Sequence, residues 1–249
     1  MHLRAFFVVV LLAAAPCYGM ILTAQAQTAR ESEGEGDPLQ RLRDLEQGLE
    51  ILQGRILVLQ ERIDALLGSD DAASVYPIPL GDSPVRGNPD AGLTLVVFGD
   101  YQSEYATRAQ YAIDRLLEAY PNDLRIVYKH YPLRTIHAQA HDASLAAIAE
   151  MQQDRFWEMH KLLYRNGRVL EAALYPILAG QIGLDLVRFE GDRISLAVLE
   201  ILTADEREAV RLGLRGVPAL FLNGRRMRTW RYDYVDARIR QALELIRPG

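Results

Sequence analysis

Few residues of this sequence could do covalent or metal chemistry. The chain has one cysteine, Cys17, and five histidines. His137 and His141 are four residues apart, a spacing that places both on one face of a helix. Zinc sites in proteins use three or four ligands, and His130 and His160 would complete one only if the fold brought them close. Because the sequence also lacks a His-Glu-x-x-His pattern, we expect no metal site and no cofactor.

Cys17 lies inside a segment that is typical of a secretion signal. A basic start and an apolar stretch precede small residues at Ala24 and Ala26, the pattern that signal peptidase cuts. We therefore interpret residues 1–26 as a signal peptide that is removed on export to the periplasm. A retained membrane anchor is the alternative, but Pro16 interrupts an apolar run that is already short for a span. The mature chain would have no thiol, so it could not do dithiol–disulfide chemistry.

The composition restricts the classes of partner. Of the 249 residues, 49% are hydrophobic, enough for one sizeable core. The formal net charge is -5 and no basic run is interleaved with aromatic residues, so we expect neither nucleic acid nor anionic membrane as a partner. Arg225, Arg226, Arg228 and Arg231 form a small basic cluster, which we interpret as a solvated face. A docking site for an acidic partner is the sharper alternative.

Leucine or isoleucine recurs at alternating steps of three and four between residues 38 and 67, the heptad segment. This pattern predicts a coiled-coil helix that joins copies of the chain as a dimer or a trimer. An amphipathic helix packed on its own domain is the alternative, but the flanking sequences look like linkers. The predicted seam consists of Leu42, Leu45, Leu49, Leu52, Ile56, Leu59, Ile63 and Leu66.

The remaining sequence divides into polar connections and one long structured region. Residues 27–37 predict a flexible leader, and residues 68–83 predict a linker with a short edge strand around Val75–Leu80. The structured region predicts strands at 93–98, 124–131, 218–222 and Met227–Trp230, helices at 103–119 and 233–246, and a helical stretch over about 136–213 with breaks near Asn166-Gly167 and Pro176. This order of elements predicts an α/β fold without a membrane span once the signal is cleaved.

The same order resembles a thioredoxin fold with an inserted helical domain. Over about residues 84–246 the sequence is similar to the DsbA-like thiol–disulfide oxidoreductases. The similarity is carried by residues 86–91, 98–102, 129–133, 156–160 and 213–224. It implies a DsbA-like thioredoxin domain at 84–249, with the helical insertion at about 136–213.

The position of the family's active site holds different residues here. Members of that family begin the first helix with a motif of the Cys-Pro-Tyr-Cys type, whereas this chain has Ser103-Glu104-Tyr105-Ala106. A hydroxyl is a far weaker acid than a thiol, and Ala106 offers no resolving group, so we expect no catalytic residue among the four. We interpret Ser103 as a helix N-cap and Glu104 as a carboxylate that stabilises the first turn. A non-thiol reaction that uses Ser103 is the alternative.

The segment Val217-Pro218 matches the cis-proline segment of the same family. The resemblance implies that the backbone there pairs with an extended substrate, so Val217 and Pro218 are the predicted groove for a polypeptide. The alternative is that the turn persists only because the fold requires it. We therefore expect a secreted, non-catalytic oligomer that binds a polypeptide client or an envelope protein, with a structural spacer of an envelope assembly as the rival hypothesis.

Overall fold

The computed structural model describes residues 41–49, 51–52, 55–56, 59 and 74–246. The chain divides into two compact units, Met1–Ile63 and Asp64–Gly249. The predicted signal peptide (residues 1–26), the predicted leader (residues 27–37) and two seam positions, Ile63 and Leu66, lie outside the described residues.

In the first unit, every described residue of the heptad segment is helical. The six seam side chains within this part are 53–71% exposed in the single chain, namely Leu42, Leu45, Leu49, Leu52, Ile56 and Leu59. The helix predicted from the heptads is therefore confirmed for these residues. Its pairing with other copies stays a prediction.

The second unit is built on a five-stranded sheet with the order β1-β3-β2-β4-β5. The strands are β1 (Val85–Gly87), β2 (Leu93–Gly99), β3 (Leu124–His130), β4 (Ala219–Leu222) and β5 (Arg225–Arg226). Strands β2 and β3 are parallel, and the other three pairs are antiparallel. With its helices, the sheet forms the α/β thioredoxin-like fold that the sequence predicts.

Strand β2 is buried on both faces, as its continuous apolar run predicts. Leu93, Leu95 and Val97 belong to the larger hydrophobic core. Because side chains alternate between the faces of a strand, Val96 and Phe98 point to the other side, where they join a second, smaller core. This strand leads directly into the loop that carries Ser103.

Two helices of the second unit flank the insertion in sequence, α1 (Glu104–Ala119) and α7 (Tyr232–Ile246), and they contact each other. The insertion between β3 and β4 contains α2 (Ala140–Ala149), α3 (Phe156–Arg165), α4 (Leu174–Gln181), α5 (Leu186–Arg193) and α6 (Leu196–Arg211), with short 3-10 turns at Glu150–Gln153 and Gly167–Val169. Helix α2 lies at the centre of the insertion, because its buried alanines let α3, α5 and α6 approach closely.

Two of the predicted strands are wrong. Val75–Leu80 forms no strand, because Pro77 and Pro79 have no N–H to donate to a neighbour. The edge of the sheet beyond β3 is β1. The return strand after β4 is Arg225–Arg226 rather than Met227–Trp230, because a two-residue turn with positive φ at both positions (Asn223 and Gly224) closes the hairpin at once.

The predicted helix break at Pro176 is also wrong. Pro176 lies in the first turn of α4, where its missing N–H would have no helical partner in any case. The break predicted near Asn166-Gly167 is confirmed, because α3 ends at Arg165 and the chain passes into the 3-10 turn Gly167–Val169. The chain also leaves its helices earlier, at Asp154, which has a left-handed φ of 58°.

Candidate functional site

The first turn of α1 holds the four residues that replace the expected motif. Ser103 is the N-cap, and its Oγ accepts a hydrogen bond from the backbone N–H of Ala106 at 3.3 Å. Both residues are buried, with 5% and 3% of their surface exposed. The N-cap predicted for Ser103 is therefore confirmed. A serine in this arrangement satisfies an orphan helix donor and presents little surface to a substrate.

Glu104 connects this turn to the helical insertion. Its Oε1 accepts from Arg108 of the next turn at 2.7 Å and from Arg168 of the insertion at 2.9 Å. Beside Arg168, Gly167 packs against the backbone carbonyl of Tyr101 so closely that a Cβ would not fit. Glu104, which was predicted to stabilise the first turn of α1, therefore also forms ion pairs with two guanidinium groups.

Asp100 organises the loop before the helix, a role that was not predicted from the sequence. Its carboxylate is fully buried and accepts hydrogen bonds from the backbone N–H groups of Gln102 and Leu133, each at 2.8 Å. It also accepts from Nδ1 of His137 at 2.7 Å. An acidic residue directly after a buried strand could have indicated this role, because a buried carboxylate requires hydrogen-bond donors.

The pairing with Asp100 also explains why His137 and His141 do not share a helix face. His137 lies in the loop before α2, which begins at Ala140, whereas His141 is inside the helix. The prediction of one face is therefore wrong. Within residues 41–246 as far as they are described, no group of three or more His, Cys, Asp or Glu side chains could hold a metal ion.

His130 and His160 do come together, but inside an aromatic cluster. His160 Nδ1 lies 3.0 Å from the hydroxyl of Tyr101, and its Nε2 lies 3.1 Å from Gln110 Oε1. The rings of His130 and Tyr128 are in edge-to-face contact at 5.0 Å. Burial lowers the pKa of both histidines, that of His130 to about 3, so both are neutral at neutral pH. Both histidines are therefore part of the buried core next to the site. Neither is exposed where it could accept a proton from a substrate.

A buried ion pair ties β3 to the insertion. Lys129 Nζ donates to Asp205 Oδ1 and to Ser83 Oγ, each at 2.8 Å, and all three residues are at least nine-tenths buried. The second oxygen of Asp205 accepts from the backbone N–H of His130. This pair was not predicted from the sequence, although a lysine inside an apolar strand indicates a buried acidic partner. Ser83, within the predicted linker, thus packs against the domain.

Val217 and Pro218, the predicted groove residues, lie at the same end of the central strands as Ser103. The peptide bond between Val217 and Pro218 is cis, as the resemblance implies. Pro218 immediately precedes Ala219, which pairs with Phe98 near the end of β2. The cis-proline segment and the loop that leads to Ser103 therefore leave the sheet from neighbouring strands.

In chemical terms, the described residues of the site include no thiol or other electron-transfer group. Ser103 cannot form a disulfide, and Ala106 has no reactive atom. The Oγ of Ser103 accepts a hydrogen bond from the backbone N–H of Ala106, and Nδ1 of His137 is hydrogen-bonded to Asp100. What the site retains is a helix N-terminus, a buried carboxylate that fixes the loop, and a neighbouring turn with a cis-proline.

The sequence matches known proteins over more than half of its length. The model of the DSBA-like thioredoxin domain matches residues 94–239. The Na(+)/H(+) antiporter NhaA 1 of Mycolicibacterium gilvum is 38% identical over 154 residues, which are 61% of this chain and 25% of the antiporter. The chain therefore spans about a quarter of the length of the curated relatives it matches. Among its own described residues, no helix is long and apolar enough to cross a bilayer.

Solved structures share the fold at low identity. Oxidised BdbD from Bacillus subtilis superposes with a TM-score of 0.61 at 18% identity, covering 68% of this chain and 97% of its own. ScsC of Proteus mirabilis, in a transitional conformation, gives 0.57 at 20% identity and covers 94% of this chain and 98% of its own. These likenesses show the fold.

Proposed function

The chain belongs to the DSBA-like thioredoxin domain family, and we propose that it is a secreted, redox-inactive member that binds a polypeptide client or an envelope protein. The observation that carries this proposal is the replacement of both cysteine positions within an otherwise complete frame. Ser103 and Ala106 occupy the N-cap and the third helical position of α1, and the chain's one cysteine, Cys17, lies in the predicted signal peptide. Thiol–disulfide exchange requires a thiolate and a partner thiol, and the mature chain would have neither.

The binding part of the proposal rests on the segment beside the site. Val217 and Pro218 precede β4, and the register of β4 on β2 places them next to the loop of Ser103. In the family, this is where an extended polypeptide would pair with the backbone. Binding by this route needs no thiol, so the loss of the cysteines leaves it unaffected.

The oligomeric part of the proposal rests on the exposed seam. The six described seam side chains of the heptad segment are each more than half exposed in the single chain. Full burial of each such side chain stabilises an assembly by roughly 1.5–3 kcal/mol, which favours a homodimer or homotrimer. Such an assembly would present several copies of the binding domain to one client.

Two alternatives are weaker. A reaction that uses Ser103 would require a base that accepts the proton of its hydroxyl. The recorded hydrogen bond of the Oγ is one that it accepts from the backbone N–H of Ala106, and the nearby imidazole of His137 is bonded to Asp100. A protein that acts only as a spacer in an envelope assembly would need no binding groove. Measured affinity for a client therefore distinguishes a binder from a spacer.

The proposal is tested by adding the purified mature chain to an insulin-reduction assay and to the refolding of a protein with scrambled disulfides. We expect rates equal to the uncatalysed background in both. Catalysis above background in either assay would remove the redox-inactive part of the proposal. Binding of an unfolded client, followed separately by calorimetry, distinguishes a binder from a spacer.

A further inference from the structure

A groove of about 330 Å³ lies between α1 and the start of α7, apart from Val217 and Pro218. This groove, the arginine groove, is lined by Arg108, Tyr111, Ala112, Arg115, Trp230, Arg231, Tyr232 and Asp233. Its residues on α1 follow the first turn of the site, since Arg108 is one turn beyond Glu104. Three of the eight are arginines, one is acidic and three are aromatic.

Two of these guanidinium groups have no carboxylate partner in the described part of the chain. Arg115 and Arg231 are both exposed, and neither forms an ion pair there. Arg115 lies over the ring of Tyr232, with its guanidinium carbon 3.9 Å from the ring centroid, a cation–π contact within the groove. Arg108, in contrast, forms an ion pair with Glu104, a carboxylate that it shares with Arg168. The groove therefore carries an excess of positive charge, because Arg115 and Arg231 outnumber its one acidic lining residue, Asp233.

The aromatic lining adds a second type of contact. Tyr111 is 65% exposed, and Trp230 and Tyr232 are partly exposed. Rings that are half open to solvent offer stacking faces and apolar surface to a side chain that enters the groove. A small inorganic anion would bind the arginines but would not contact the aromatic rings.

Charge complementarity selects the occupant. A guanidinium binds a carboxylate with two parallel hydrogen bonds, and the chain as a whole is acidic, with a formal net charge of -5. A cationic groove on an acidic protein concentrates attraction for an acidic ligand at one place. We propose that the arginine groove binds an acidic, aromatic-containing segment of a partner polypeptide. This inference rests on the proposed function, because it names the class of polypeptide that the protein would bind.

The basic cluster predicted from the sequence contributes to this groove only through Arg231. Arg225 and Arg226 form β5, and neither lines the groove. The arginines of α1, which are separated from Arg231 by more than a hundred residues, complete it. Sequence proximity therefore identified one of the three arginines.

The test is calorimetry of the full mature chain with a synthetic probe, acetyl-Asp-Glu-Tyr-Glu-Asp-amide, and its neutral counterpart acetyl-Asn-Gln-Tyr-Gln-Asn-amide. We expect saturable binding of the acidic probe that weakens with added salt, and no binding of the neutral probe. Arg115→Gln and Arg231→Gln should each weaken binding by roughly tenfold, the loss of one charge-assisted pair. Arg165→Gln, an exposed arginine outside the groove, is the matched control and should leave affinity unchanged.

Several outcomes would overturn the inference. Equal affinity for both probes, or full affinity in the doubly substituted Arg115→Gln/Arg231→Gln chain with an unchanged melting temperature, would do so. Arginine-dependent binding of phosphatidylglycerol vesicles without binding of the acidic probe would assign the groove to a membrane instead. If unfolded, amidomethylated α-lactalbumin binds the wild-type and the doubly substituted chain equally, the proposed function stands and the arginine groove is not its site. If neither that client nor the probe binds, the proposed function fails as well.

Discussion

The Oγ of Ser103 accepts a hydrogen bond from the backbone N–H of Ala106, at 3.3 Å, so the two positions that lack cysteines are joined to each other. The bond satisfies one of the helix donors that have no internal partner. Position 103 thus retains a structural role at the N-terminus of α1 after the loss of its thiol. The predictions below follow from this contact and from the residues around it.

Ser103 should behave as a helix cap and nothing more. We expect Ser103→Ala to lower the free energy of unfolding by about 1 kcal/mol, the usual cost of losing a cap, without changing client affinity. Ser195 is a matched control, because its Oγ caps α6 through the N–H of Val198, also at 3.3 Å. Urea unfolding of both variants should give similar losses. A loss of turnover or of client binding in Ser103→Ala alone would contradict a purely structural role.

Restoring both thiols should restore disulfide chemistry. The side chain at position 103 already reaches the backbone of position 106, and the helix N-terminus would lower the pKa of a thiol placed there. We expect the mature double variant Ser103→Cys/Ala106→Cys to form an internal disulfide and to catalyse insulin reduction. Each single variant should show no turnover, since it has no resolving thiol. An inactive double variant with a native circular dichroism spectrum would mean that the frame around the motif has also changed.

The sequence predicts β2 and α1 within one residue at each end because both are regular local patterns: an unbroken apolar run and an apolar face after a capping serine. It does not predict the bond of Asp100 to His137 or that of Lys129 to Asp205, whose partners are 37 and 76 residues apart. These contacts depend on how the insertion folds back on the sheet. The spacing of apolar residues along the sequence carries no information about that arrangement.

Gly99 should tolerate no side chain. A Cβ there would lie 2.5 Å from the hydroxyl oxygens of Tyr128 and Tyr164, which are hydrogen-bonded to each other at 2.8 Å. We expect Gly99→Ala to destabilise the domain by about 1–3 kcal/mol, the cost of overpacking. Gly191 of α5 is the control, because its Cβ would meet open space. Gly191→Ala should raise stability by about 0.4–1 kcal/mol in the same thermal melts. Equal effects of the two substitutions would refute the packing explanation.

Glu150 should make stability fall as pH rises toward neutrality. The side chain is buried and its oxygens have no hydrogen-bond partner in the described residues. Burial, with a smaller contribution from Asp192, raises the pKa of Glu150 from 4.5 to about 7. Between these values the folded state binds more protons than the unfolded state, so folding is stabilised at low pH and the stabilisation is lost as pH rises to about 7.

Glu150→Gln removes this dependence. We expect the variant to be more stable than the wild type above about pH 7, and the difference to shrink to nothing near pH 4.5. His130, whose pKa burial lowers to about 3, gives the opposite trend below pH 6.5, but it is present in both proteins and cancels in the difference. Glu158→Gln, at an exposed position of α3, is the control. Urea unfolding across this pH range is the measurement, and a pH-independent difference would contradict the assignment.

The exposed seam should assemble the chain. We expect light scattering of the mature wild type to give the mass of a dimer or a trimer. Leu52→Asp combined with Leu59→Asp should give a monomer, because a charge in the seam removes its apolar burial. Gln47→Asp, which lies outside the seam, should leave the mass unchanged. A monomeric wild type would contradict the oligomer.

The central claim, that this protein binds polypeptides without thiol chemistry, is tested most directly by calorimetric titration of unfolded, amidomethylated α-lactalbumin into the purified mature chain. All cysteines of this client are blocked, so any affinity is independent of disulfide exchange. We expect saturable binding by a chain that is inactive in insulin reduction. The absence of saturable binding, with the chain folded and assembled, would contradict it.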